Sequence, residues 1–118
     1  MSALKQAIAA ASDLTSEELY VDLWDVTIGV RSMDGNARAN LIENFSDEDG
    51  KMSFRKLYPE LLIQCTFDPE DGAPVFEDTE ADRQLIMSKS GAALEQVARK
   101  AMEMSGLDTK AEERSGKS

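Results

Sequence analysis

Seven carboxylates lie between Asp68 and Asp82, in a stretch that also holds Pro69 and Gly72. Acids at such density can hold a cation, work as an acid–base pair, or punctuate the chain at turns and helix starts. A calcium loop needs Asp at its first position, Gly at its sixth and Glu at its twelfth. Placing Gly72 sixth puts Phe67 first and Pro69 third; placing Gly50 sixth puts Phe45 first and Lys56 twelfth. Both registers lack essential ligands. A hydrolytic pair needs one carboxyl kept protonated by apolar surroundings, and no acid in the sequence stands in such a context. The chain has no histidine, so it lacks the commonest general base and a Ser-His-Asp constellation. Cys65 is the only cysteine and sits among apolar residues, which predicts a core thiol rather than a disulfide or a cysteine zinc site. There is no glycine-rich phosphate loop. Tyr20, Trp24 and Tyr58 lack the basic neighbours of a nucleic-acid platform. No catalytic residue, metal site or cofactor is expected, and the acids read as punctuation.

The 118 residues carry a net charge of −10. Residues 67–90 contribute −5 of it, and residues 91–118 contribute none. An acidic surface repels phosphate, which argues against nucleic acid and anionic membranes as partners. It suits either a solvated face or attraction to a basic protein. No apolar run approaches the roughly 20 residues needed to span a bilayer. The first residues are too weakly apolar for a secretory signal, so folding in the cytoplasm is expected. A single domain of this length can bury an adequate core without cross-links.

The elements that must position these residues follow from periodicity. Leu4, Ala7, Ile8 and Ala11 have helical spacing behind a Ser2 cap. That short helix is marginal alone, so it must dock on the body or on a partner. Leu19, Val21 and Leu23 alternate on one parity, and Trp24, Val26, Ile28 and Val30 on the other. The switch requires a bulge or turn near Leu23–Asp25, giving a ribbon of strands 19–23 and 26–32. Trp24 reads as a core plug. Gly29 predicts a close approach by another backbone. Asp34 caps a helix with Ala37, Leu41, Ile42 and Phe45 on one face, and residues 46–50 end it. Phe54, Leu57, Tyr58, Leu61, Leu62 and Cys65 make a stripe interrupted by Pro59, so the secure helix is 59–66. Asp68–Gly72 is a turn, Val75–Phe76 a third short strand, and Asp78 or Thr79 the cap of a helix that points Leu85, Ile86 and Met87 inward. The last helix, 92–105, carries Leu94, Val97, Ala98, Ala101 and Met102 on one face and ends at Gly106–Leu107 in a Schellman motif. One amphipathic face is usually core, although methionines such as Met87, Met102 and Met104 also suit adaptable binding surfaces. The fold class is α+β: a small, mostly helical domain with an N-terminal β ribbon of two or three short strands and four or five helices. Residues 1–18 form a helix and linker, 19–107 the domain, and 108–118 a disordered polar tail.

The order and spacing of several motifs resemble a known family. VTIGVRSMDGNAR (26–38) leads from the ribbon into a helix. LLIQCTFDPEDG (61–72), VFEDTEADRQLI (75–86) and MSKSGAALEQVARKAMEMSGL (87–107) follow. Together they resemble the tail assembly chaperones of long-tailed phages, especially those of actinobacterial hosts, over residues 19–107. The resemblance implies a non-enzymatic protein of the host cytoplasm, absent from the finished virion. It would bind and solubilise the tape measure protein and help recruit major tail tube protein, with self-association as a further expectation. It also implies a longer form made by ribosomal frameshift, into which 108–118 would lead. On that reading Leu94, Val97, Met102 and Met104 contribute client contact. From a different class, a small acidic inhibitor mimicking nucleic acid and binding a basic host protein also fits the charge. Such a mimic would present carboxylates in rows at phosphate spacing.

Overall fold

The protein is described from a computed structural model, over residues 2–44, 49 and 53–107. The elements run α1 (Ala3–Ala10), β1 (Ser16–Val21), a 3-10 turn (Asp22–Trp24), β2 (Val26–Arg31), α2 (Gly35–Asn44), α3 (Phe54–Cys65), β3 (Thr66–Phe67), α4 (Glu80–Met87) and α5 (Gly91–Met104). The fold is α+β, with an antiparallel sheet in the order β1-β2-β3. The expected helix end at 46–50, save Asp49, and the tail 108–118 lie outside the described residues.

The ribbon forms where alternation demanded it, with one shift. β1 pairs with β2 from Ser16↔Arg31 to Val21↔Val26, so ordered pairing starts before residue 19. Thr15 extends it: its N–H donates to Ser32 Oγ at 3.0 Å and its carbonyl accepts from Ser32 N–H at 2.9 Å. The parity switch is absorbed by the 3-10 turn, which ends at Asp25 with φ 50°. Leu19 and Val21 therefore share a face with Ile28 and Val30, and that face meets the core. The close approach at Gly29 is made by a ring rather than a backbone. Phe67 lies flat over it, and a Cβ there would sit 2.3 Å from the ring. Arg31 stacks on the same ring, its guanidinium carbon 5.2 Å from the centroid.

α3 corrects the expected break. It is continuous through Pro59, although an interior proline costs about 3 kcal/mol. Leu57 and Leu61, on either side of Pro59 and one turn apart, are both fully buried. Burial of each contributes roughly 1.5–3 kcal/mol, and together they offset the proline. Leu62 and Cys65 continue the stripe. Burial pushes the Cys65 thiol up to about 11. At the helix end Thr66 turns extended, and its Oγ1 donates to the Leu62 carbonyl at 2.5 Å.

That exit also moves the third strand. Thr66 and Phe67 pair with Val30 and Gly29 and so take the open edge of β2. The expected strand at Val75–Phe76 is absent. The chain returns beside β3 through one bridge, Phe67↔Pro74, and Pro74 has no N–H to carry a ladder. In α4 only Ile86 is buried, while Leu85 and Met87 stand exposed. Neighbours on a helix point 100° apart, and this short helix offers a single stripe to α3. α5 lies against α3 and the sheet, burying Ala93, Leu94, Val97, Ala98, Ala101 and Met102. Its end is a Schellman motif: Leu107 N–H donates to the Met102 carbonyl at 2.7 Å and Gly106 N–H to that of Glu103 at 3.3 Å. Gly106 takes φ 75°, where a side chain would be strained.

Candidate functional site

Most of the seven acids of 68–82 hold the chain in shape. Asp68 Oδ1 accepts from Glu70 N–H and Asp71 Oδ1 from Ala73 N–H, each at 2.9 Å, across the turn. Thr79 caps α4 by accepting from Asp82 N–H at 3.2 Å, and Asp82 Oδ2 reaches back to Glu77 N–H at 2.6 Å. The exchange satisfies two backbone donors at once, as in a capping box. Asp78 instead binds Arg83. Four of the seven are thus turned onto local partners rather than displayed in rows. The described residues bring together no group of three or more His, Cys, Asp or Glu side chains that could hold a metal ion.

One carboxylate departs from the sequence reading. Glu60 is buried, and Arg83 Nε donates to its Oε1 at 2.6 Å. Arg83 bridges Glu60 and Asp78, and these hydrogen bonds hold its guanidinium even more firmly protonated than usual. The pair locks α4 onto α3. Its partners are 23 residues apart, so no local spacing announced it. The available signal was an acid set within the apolar stripe of α3. A salt-bridged single carboxylate has its charge compensated, and nothing here makes it half of an acid pair.

The sequence-derived contact residues are placed mostly inside. Leu94 is 2% exposed, and Val97 and Met102 are likewise buried, against the domain's own core. Only Met104 reaches the surface, half-buried at the core's edge. One helix face therefore gathers the first three, as its periodicity implied, but that face is closed. Contact with a client through them would require α5 to lift off the sheet. Beside them Arg99 pairs with Glu95, and Lys100 with Glu17 at 3.1 Å.

One open apolar surface lies at the far end of the ribbon. Tyr20, Leu23 and Val26 surround the 3-10 turn and are all exposed, Leu23 at 62%. Trp24 turns the other way and packs against the core, which fixes the turn from within. Tyr20 donates its hydroxyl to Asp25 Oδ1 at 2.6 Å. That bond favours the protonated phenol and raises its pKa. Asp25 is held in its left-handed backbone by this contact and by its N–H on the Asp22 carbonyl at 3.1 Å. The tip is thus rigid, apolar and rimmed by Asp22 and Asp25. Sequence reasoning located the bend but not its exposure, because alternation cannot tell which side of a turn faces solvent.

No protein-family model matches the chain, and no curated protein matches it. Among solved structures it is similar to the tail assembly chaperone of bacteriophage HK97, with a TM-score of 0.56 over 87% of this chain and 98% of that one. The two are 18% identical. This chain has that chaperone's fold. The HK97 chaperone is matched over nearly its whole length, so the likeness takes in sheet and helices together rather than one shared motif.

Proposed function

We propose that this protein is a phage tail assembly chaperone. It binds the tape measure protein in the host cytoplasm, keeps its apolar helices soluble, and assists assembly of the tail tube. It acts without catalysis and leaves before the virion is complete. The observation that carries this reading is the fold shared with the HK97 chaperone across 98% of that chain. The surface supports it. A holdase needs apolar side chains open to a helical client and charge enough to keep the complex in solution. The ribbon tip and the outer residues of α4 supply the first, and the net charge of −10 supplies the second.

Client contact on this reading centres on Tyr20, Leu23 and Val26, with Met104 joining from α5. The buried Leu94, Val97 and Met102 support the frame and reach a client only if α5 opens. A longer, frameshifted form and contact with the tail tube protein belong to the same proposal. A nucleic-acid mimic is disfavoured because so many of its candidate acids are tied to local partners.

The test is co-expression with a helical fragment of the tape measure protein from the same phage genome. The wild-type chain is expected to keep the fragment soluble and to co-purify with it. Leu23→Asp with Val26→Asp should abolish co-purification while leaving the circular dichroism spectrum unchanged. A fragment that aggregates equally with and without the wild-type chain would sink the reading.

A further inference from the structure

β1 is an edge strand. The sheet order is β1-β2-β3, so β1 has a single neighbour. Ser32 N–H donates to the Thr15 carbonyl, which fixes the phase of the ladder. Bonded and unbonded pairs alternate along an antiparallel ladder. Glu17, Leu19 and Val21 therefore turn their backbone groups to β2, and Ser16, Glu18 and Tyr20 turn theirs to the edge. The Tyr20 carbonyl agrees with this, since it accepts from Gln96 Nε2 at 3.0 Å. That contact ties α5 to one end of the edge. The N–H and carbonyl of Ser16 and of Glu18, and the N–H of Tyr20, meet no partner among the described residues. Such a row is a template for another strand. A helix spends its backbone groups internally and cannot use it.

Both sides of this edge are shaped for the side chains of a strand. On the core side a groove of about 330 Å³ runs between β1 and α5, with Leu19 and Ala92 among its lining. Its charges are largely paired, Glu95 with Arg99 and Lys100 with Glu17. An apolar floor remains, with Glu103 at one end. On the opposite side a cleft of about 460 Å³ is lined by Glu18, Thr27, Asp68, Pro69 and Glu70. Its charged residues are all acids. Arg31, on the same side, is stacked over Phe67. Successive side chains of a strand point to opposite faces. A strand laid along β1 would meet apolar surface with one set of side chains and carboxylates with the other.

We propose that the open edge of β1 binds an extended segment of a partner protein in which apolar and basic residues alternate, added antiparallel as a fourth strand. Its apolar side chains enter the β1–α5 groove over Leu19 and Ala92. Its lysines or arginines lie on the other face, one of them across from Glu18 and the rest in the field of Asp68 and Glu70. The acids also select against a second copy of the chain. Two β1 edges paired antiparallel in their longest register would set Glu18 opposite Glu18, and like charges directly opposite are destabilising. The site is the edge of the sheet and not the ribbon tip, so the proposal stands apart from the chaperone reading.

The probe is a capped heptapeptide of alternating lysine and valine, added to the isotope-labelled full chain and followed by amide shifts and amide exchange. Exchange at Ser16 and Glu18 is expected to be fast in the free chain and to slow at least about tenfold at saturation. A peptide of the same composition with its lysines and valines in two blocks should bind at least about tenfold more weakly. N-methylation of the lysines removes the donors that face β1 and should abolish binding. N-methylation of the valines, whose N–H groups face away, should leave affinity within about threefold. Ala92→Arg fills the groove from an exposed position, and Glu18→Lys reverses the charge across from the peptide. Each should weaken binding at least about fivefold. Ser16 and Glu18 amides already protected without peptide, as they would be under a second copy or another segment of this chain, overturn the proposal. So does equal binding of the block peptide, which would be charge attraction alone, or equal loss on methylating either set.

Discussion

α1 and α5 are both amphipathic helices with an alanine-rich composition, yet the fold treats them oppositely. α5 buries six residues against α3 and the sheet, and α1 buries none. An apolar stripe at helical spacing states that a face needs covering. It does not state what covers it. α5 runs antiparallel beside β1, tied by Gln96 Nε2 to the Tyr20 carbonyl at 3.0 Å and by Ser105 Oγ, which accepts from Met33 N–H at 3.0 Å. α1 has no such tie. The difference separates the part of the chain that makes the domain from the part left for other molecules.

If that division is right, substitutions in the α3–α5 body should cost stability in proportion to burial. Among side-chain truncations the largest effect is expected from Leu61→Ala, which opens a cavity at a fully buried site beside Pro59. The loss should be about 2–5 kcal/mol by denaturant unfolding. With the proline's cost no longer offset, α3 should fray near residue 59, visible as faster amide exchange there. Next comes Cys65. Its folded-state pKa is raised to about 11, so the folded state resists ionisation that the unfolded chain undergoes from about pH 8.5. Stability from this group is full below that value and is lost as pH climbs toward 11, by up to about 1.4 kcal/mol per unit. Cys65→Ala should flatten the alkaline decline, and alkylation of native Cys65 should proceed only as fast as the chain unfolds. An unfolding curve with the same alkaline slope in both proteins would show the thiol to be more open than its burial implies.

Smaller effects test how the acids are used. Arg83→Met leaves Glu60 buried without its cation. The expected cost is about 1–3 kcal/mol, and Glu60→Met in the same chain should recover part of it, since an apolar pair can replace a buried ion pair. Thr79→Ala removes the α4 cap and should cost about 1 kcal/mol. Both losses, once measured, would mark the acids as working in local structure. Had either variant unfolded nothing and instead weakened binding of a basic protein, the acids would belong to a partner surface.

Much of this frame was legible in the sequence, for identifiable reasons. The ribbon, the turn at 68–72, the Thr79 cap and the Gly106–Leu107 stop rest on interactions between residues close in the chain, which spacing reports directly. Cys65 was legible because its neighbours are uniformly apolar. The misreadings all involve distant partners. Pro59 argues locally for a break, and only the tertiary burial of Leu57 and Leu61 overrides it. The third strand moved to Thr66–Phe67 because β2's free edge, not local propensity, selects its neighbour. Leu85 and Met87 were expected inside because the width of the face that α3 offers α4 cannot be read from α4 itself. The face of Leu94, Val97 and Met102 was correctly grouped, but periodicity is blind to whether a grouped face is sealed.

The smallest predicted effect is the sharpest test of the comparison. Leu4→Asp with Ile8→Asp places two charges on the apolar face of α1, and the corresponding change in α5, Val97→Asp, places one in the core. Val97→Asp should unfold the domain, because a buried carboxylate without a partner costs several kcal/mol. The α1 pair should shift the chain's unfolding free energy by no more than about 0.5 kcal/mol, measured by denaturant unfolding. If the α1 pair instead destabilised the chain, α1 would be packing on its own body, and the division between closed and open helices would fall. If the chain is indifferent to them, Leu4 and Ile8 carry none of the domain's stability, and the two helices differ in whether the domain itself supplies the cover their apolar faces need.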